Sequence, residues 1–205
     1  GKDGYERDWY PGISLPSMCR ECQAIQKDRE EAARNLEKRL HDSCIPARFA
    51  DAKKDDVDPA IWSRLLPWIQ EETPFGVLSG PTGTGKSYIA AIALRGEIMD
   101  GETGLWMSVP TMTLKLRRLG SQAEDVMDSA LKAPCLVLDD LGAERSTDYA
   151  LEMMSCLILS RWDACLRTLV TTNASLDQLN DLHPRMASRL ASGIVISLEG
   201  EDRRL

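Results

Sequence analysis

The chain has 205 residues, 43% of them hydrophobic, with 25 Lys and Arg against 32 Asp and Glu and a net charge of −7. That length suits one domain with at most a small appendage, and the hydrophobic share is ordinary for a globular core. No apolar run nears the ~20 residues that span a bilayer, the first sixteen residues are too polar for a signal peptide, and the acidic balance argues against a wholly basic nucleic-acid coat while leaving room for a local basic stripe.

Residues 1–18 read as irregular, broken by Pro11, Gly12 and Pro16. Cys19 to His41 reads as a charged helix: Glu30 and Arg34 stand i,i+4 in the favourable order, and Ile25, Ala32, Leu36 and Leu40 make a thin apolar stripe. The stripe suits either a solvated helix on the domain surface or a partner-binding helix. Cys19-x-x-Cys22 is half a zinc motif, and His41-x-x-Cys44 holds residues that complete a Cys₃His set. A straight helix between the two pairs spans ~27 Å, so a joint site requires that helix to break or fold back. Completion by residues preceding Gly1, and cysteines that bind no metal, are the other two readings. Six cysteines in a cytoplasmic chain of this size do not suggest a disulfide framework; Cys135 and Cys156 lie in apolar patterns and read as core residues.

Asp51 to Pro59 is a polar linker, and from Ala60 the chain alternates strands and helices. Candidate strands are Phe75–Ser79, Leu105–Val109, Cys135–Asp139, Thr168–Thr172 and Ile194–Leu198. Helical patterns between them include Tyr88–Met99, Thr113–Leu119, Gln122–Leu131, Asp148–Cys165 and Pro184–Ala191. Five short apolar strands alternating with helices imply an α/β fold with a parallel sheet covered on both faces.

After the first strand come Gly80, Pro81, Thr82, Gly83, Thr84, Gly85, Lys86 and Ser87, which match G-x-x-x-x-G-K-[ST] at every position, with Tyr88 opening the helix behind them. The chemistry explains the spacing. Glycines let the backbone turn tightly and aim several N–H groups at one anion, and the following helix adds its positive end. Lys86 would reach the β- and γ-phosphates of ATP, and the Ser87 hydroxyl would bind Mg²⁺. Cys135-Leu136-Val137-Leu138-Asp139-Asp140 delivers two acids to the same edge of the sheet: Asp139 for Mg²⁺, Asp140 to orient the attacking water. Thr171-Thr172-Asn173 closes the next strand, where Asn173 suits either a γ-phosphate contact or a strand-to-helix turn. Arg185 and Arg189 share a helix face, and Arg203 and Arg204 follow the last strand; spacing alone does not single them out.

The runs G-P-T-G-T-G-K-S, L-V-L-D-D-L-G-A-E-R, T-T-N-A-S-L-D-Q-L and P-R-M-A-S-R-L, with Ile45-Pro46-Ala47-Arg48-Phe49 ahead of them, resemble the AAA+ ATPase module of bacterial and phage helicase loaders of the DnaC and DnaI type, and of the IstB transposition helpers. The resemblance covers Ile45 to Leu205. It implies Walker A at Lys86 and Ser87, Walker B at Asp139 and Asp140, and sensor 1 at Asn173. It implies an arginine finger at Arg189, acting on a neighbouring subunit, and a sensor 2 arginine at Arg204, with Arg203 the alternative register. An arginine acting in trans implies self-association into a ring or spiral. Aspartate at Asp140, where such proteins usually carry glutamate, implies slow hydrolysis. With the sequence stopping just after Arg204, the resemblance is to the branch without a C-terminal lid.

The resemblance also implies single-stranded DNA contacts from Thr111 to Leu131, where Lys115, Arg117 and Arg118 form a local basic cluster. It implies helicase binding through residues 1–44, with the ATPase module at 45–205, and some relatives carry zinc in the N-terminal region. The function expected is therefore an ATP-dependent loader of the replicative DNA helicase, with a transposition helper as the alternative. A small-molecule kinase shares the phosphate loop but not the Asp-Asp strand end with the late arginines.

Overall fold

The computed structural model describes residues 20–118, 122–142 and 148–200. Two compact units divide the chain after Asn35. In the first, the described part is the beginning of helix α1 (Arg20–Asp42), exposed from Ala24 to Asn35. Glu30 accepts from Gln26 Nε2 at 2.8 Å, and among the described residues no ion pair joins it to Arg34. Of the expected stripe, Leu36 and Leu40 pack on the core of the second unit, whereas Ile25 is 49% exposed.

The second unit begins at Leu36. After α1 come two single 3₁₀ turns, Ala47–Phe49 and Lys54–Asp56. Then follow α2 (Pro59–Ile69), β1 (Phe75–Ser79), α3 (Lys86–Met99), β2 (Gly104–Ser108), α4 (Val109–Arg118), α5 (Gln122–Lys132), β3 (Cys135–Leu141), α6 (Asp148–Asp163), β4 (Arg167–Thr172), α7 (Leu176–Leu182), α8 (Pro184–Ala191) and β5 (Ile194–Ser197). The five strands form one parallel sheet in the order β2-β3-β4-β1-β5. All five expected strands are present, shifted by at most two residues at an end. Two helices had not been singled out. In α2, Pro59 takes the first helical position and Asp58, the end of the expected linker, caps it by accepting from the Ala60 N–H at 2.8 Å. In α7, Ser175 and Gln178 form a reciprocal capping box.

Strand alternation divides the apolar side chains between two cores. Leu78, Cys135, Val137, Leu169 and Ile196 face α2 and α3, while Phe75, Val77, Leu136, Leu138 and Val170 face α6 and α8. β1 is buried along its whole length, as expected of a central parallel strand. Cys135 is core, and burial pushes its thiol up to about 12. Cys156 is not: it is exposed, because it occupies the solvent face of α6 while Met154, Leu157 and Ile158 take the inner one.

The edge of the sheet away from the phosphate loop is closed by arginines. Arg161 is fully buried and has no carboxylate partner among the described residues. Its guanidinium donates to Thr168 Oγ1 (2.9 Å) and to the carbonyls of Ala130 (2.7 Å), Ala133 (2.8 Å) and Arg167 (2.7 Å), tying α5 to β4. Burial lowers it to about 10, so it stays charged at neutral pH. Arg167 in turn pairs with Glu97 through Nη2 at 2.8 Å and lies over the Trp68 ring.

Candidate functional site

The residues between β1 and α3 fold into a loop that only glycine could follow in places. Gly80 has φ of 141°, and a Cβ there would lie 2.2 Å from the Leu198 carbonyl oxygen. Gly83 and Gly85 are also left-handed, at 86° and 90°. Gly85 stands at the N-terminus of α3, so the positive end of that helix faces the loop. Thr84 Oγ1 donates to the Pro81 carbonyl at 2.9 Å and braces the turn. Lys86 Nζ donates to the carbonyls of Gly80 (2.7 Å) and Pro81 (2.6 Å) at the lip of the loop.

Asp139 and Asp140 arrive on β3 at the facing edge. Against β4, Leu138 pairs with Val170 and Leu141 with Thr172, so three steps on β3 oppose two on β4. That is a bulge, and it falls on the two acids. Asp140 sits in the left-handed region at φ 63°, its N–H bonded to Thr171 Oγ1 at 2.9 Å. Consecutive strand residues normally point to opposite faces; here Asp139 reaches Ser87 while Asp140 lines the cavity over the loop. Asp139 Oδ1 accepts from Ser87 Oγ at 2.6 Å and from Thr171 Oγ1 at 2.7 Å, and Asp140 lines the cavity in front of it. Burial, above all, pushes the Asp139 carboxyl above the ordinary range; the bonds from Ser87 and Thr171 oppose this, and the neighbouring Asp140 charge adds to it.

A cavity of about 690 Å³ opens over the loop, within the range that holds nucleotide-sized ligands. Thr82, Gly83, Gly85, Lys86 and Ser87 line one wall, with Asp140 and Asn173. Asn173 is the exposed residue just past the end of β4. The rest of the lining comes from Arg48, Phe49, Asp56 and Tyr88. Tyr88 donates to Asp56 Oδ2 at 2.6 Å and accepts from the Lys53 N–H at 3.1 Å, joining α3 to the segment before α2. The Asp56 carboxylate that holds this hydroxyl pushes the Tyr88 pKa up.

The donor set fits a magnesium nucleotide. Ser87 Oγ and Asp139 Oδ1 are hard oxygen donors in direct contact beside the loop, which Mg²⁺ favours. Lys86 and the left-handed glycines supply the anion cradle. Zinc is not supported by what is described. Cys19 and the side chain of Cys22 lie outside the described residues. Among the described residues no group of His, Cys, Asp and Glu comes together as a metal site.

Among the described residues, the expected arginine and lysine side chains beyond the phosphate loop do not line this cavity. Arg189 is exposed on α8, its guanidinium 5.6 Å from the centre of the Trp162 ring, and neither it nor Arg185 lines this cavity. Helix α8 is held by His183, whose Nδ1 accepts from the Met186 N–H at 3.3 Å. Lys115 is exposed on α4. The side chains of Arg117 and Arg118, and Arg203 and Arg204 entirely, lie outside the described residues. Sequence reasoning assigned no role to Arg48, Phe49 or Asp56. Arg48 and Phe49 fall in the quoted Ile45–Phe49 run, while nothing in the polar stretch around Asp56 marked it.

No protein-family model matches the chain. Among curated proteins it is 23% identical over 110 residues to the replicative helicase loader DnaC of Escherichia coli (strain K12), and the match spans 45% of that relative's length. Among solved structures it is similar to a crystal structure of DnaI, with a TM-score of 0.68 and 24% identity, covering 78% of this chain and 95% of that one. It is also similar to a crystal structure of the DnaC helicase loader, with a TM-score of 0.63 and 25% identity, covering 75% of this chain and all of that one. Among the described residues no helix is long and apolar enough to cross a membrane. The fold is the AAA+ P-loop fold that the solved structures of DnaI and DnaC also have.

Proposed function

We propose that the chain is the ATPase of a cytoplasmic helicase loader for DNA replication, which binds ATP and Mg²⁺ and single-stranded DNA and delivers the replicative helicase. The observation that carries this reading is one cavity lined by Lys86, Ser87, Asp140 and Asn173, in a fold shared with the solved structures of DnaI and of the DnaC helicase loader.

In this reading Lys86 exchanges its carbonyl partners Gly80 and Pro81 for β- and γ-phosphate oxygens. Ser87 and Asp139, already in contact, are the protein oxygens for Mg²⁺. Mg²⁺ supplies charge neutralisation at the phosphates. Asp140, held by its N–H bond to Thr171 and by the bulge, orients the water that attacks the γ-phosphorus, and Asn173 holds the same water or a γ-oxygen. Hydrolysis yields ADP and phosphate. Arg189, outside its own subunit's cavity, acts on the neighbouring subunit's ATP in a ring or spiral. Arg204 serves as sensor 2. Lys115, Arg117 and Arg118 track the DNA backbone. Residues 1–44 grip the helicase.

Purified chain, with ATP and Mg²⁺, is presented to the host's replicative helicase and to any co-encoded transposase. Helicase capture that disappears when residues 1–44 are removed supports the loader; transposase capture in its place moves the protein to the transposition helpers. Arg189→Ala should leave ATP binding intact and abolish the assembly-dependent hydrolysis. Equal loss of ATP affinity in the monomer would place Arg189 in its own subunit's site.

A further inference from the structure

The described lining of the nucleotide cavity holds two cationic side chains, Lys86 and Arg48. Lys86 belongs to the phosphate loop. Nothing so far accounts for Arg48, although it faces the same space from the turn Ala47–Phe49.

That turn is rigidly tied to the phosphate-loop helix. Arg95 of α3 donates to the Phe49 carbonyl at 3.1 Å and also to the Ala50 carbonyl. The Arg48 guanidinium lies 4.7 Å from the centre of the Phe49 ring. Phe49 is 9% exposed and wedged between Tyr88 and Trp106, with ring centres 6.3 and 5.7 Å away. Arg48 therefore rests on a fixed aromatic platform. Among the described residues it enters no ion pair. The lining also carries the carboxylates of Asp56 and Asp140, with Asp139 behind. Beside Lys86 and the loop N–H groups, a further cation would offset these carboxylates toward a polyphosphate. A guanidinium is permanently charged, planar and able to bind two phosphate oxygens at once.

We propose that Arg48 is a second phosphate-binding cation of the ATP site, acting within its own subunit from the turn ahead of the ATPase sheet. The inference rests on the ATP-site reading above and adds a residue to it. It makes the Ile45–Phe49 run part of nucleotide recognition as well as a connection, because the ring that seats Arg48 is the residue next to it.

The test uses the full chain and its Arg48→Ala, Arg48→Gln and Arg48→Lys variants. ATP affinity is measured directly, and inorganic tripolyphosphate, which has no base or sugar, competes against a fluorescent ATP analogue. Arg48→Ala and Arg48→Gln should weaken ATP and tripolyphosphate alike, by roughly tenfold, and Arg48→Lys should restore part of the loss. Thermal unfolding should move little, since the side chain is exposed. Unchanged ATP affinity overturns the proposal. So does a loss for ATP with tripolyphosphate unaffected, which would make Arg48 a platform for the base. A wild-type chain that binds no ATP sinks the ATP-site reading itself; wild-type binding with insensitive variants sinks only the role of Arg48.

Discussion

The two edges of the sheet each bury a charge, and they treat it differently. At the edge away from the phosphate loop, Arg161 is enclosed by acceptors, three of its nitrogens bonded to carbonyls or to Thr168. At the phosphate-loop edge, both hydrogen bonds of Asp139 among the described residues fall on Oδ1, and the charge of the adjoining Asp140 pushes its carboxyl up further. A buried charge whose bonding capacity is filled fastens elements together. A buried charge that is half bonded and crowded by a like charge is held at a cost that a cation would relieve. The first arrangement fastens the fold, and the second suits the Mg²⁺ role proposed for Asp139.

That contrast can be broken most sharply at Lys86. Lys86→Ala should abolish ATP binding, a loss of at least ~10³-fold, or about 4 kcal/mol, while leaving thermal stability nearly unchanged; retained affinity in a nucleotide titration would remove the phosphate-loop assignment. Next comes Arg161→Met, which strands the carbonyls of Ala130, Ala133 and Arg167. It should cost about 3 kcal/mol or more in chemical denaturation. ATP affinity should survive in the fraction that remains folded. If this variant loses less than ~1 kcal/mol, the arginine is not the fastening described here.

Asp139→Asn should go the other way on stability. Burial raises the Asp139 carboxyl in the folded chain, so folding favours its neutral form over its charged form relative to the unfolded chain. It adds stability below the ordinary carboxyl range, and that stability is lost as pH rises through its raised value. At neutral pH the uncharged amide, still able to accept from Ser87 and Thr171, should lift the melting temperature by a few degrees and abolish hydrolysis. The gain should shrink as the pH is lowered; a variant that melts lower than wild type at pH 7 would show that the charge is not held at a cost.

The smallest effect is expected of Asp140→Glu. Aspartate tolerates the left-handed backbone at φ 63° better than glutamate does. The change should cost about 0.5 kcal/mol of stability, read as a small drop in denaturation midpoint. This offers a backbone reason for aspartate at Asp140 rather than glutamate.

Much of this was legible beforehand where local chemistry dominates. The phosphate loop was readable because its glycines are needed one by one for backbone angles, as Gly80 against the Leu198 carbonyl demonstrates. The strands were readable because a parallel strand covered on both faces must be continuously apolar. Cys156 was misread because its neighbours are apolar all along α6, and a pattern with little amphipathic contrast does not say which residue faces water. α7 had its capping box in plain view at Ser175 and Gln178. The zinc expectation came from spacing alone, and among the described residues no metal-ligating group forms.

From residues alone, then, come the α/β class, the five strands, the phosphate loop and the two acids, because each rests on requirements local to a few residues. Tertiary structure decided how these converge. The bulge that turns Asp139 and Asp140 to one site depends on the register of β3 against β4. The place of Arg48 on Phe49 depends on Arg95, which lies 46 positions along the chain from the carbonyl it holds. Both are contacts between distant segments, and no local pattern encodes them, since the energy that fixes them arises only when the sheet has formed and its neighbours have closed over it.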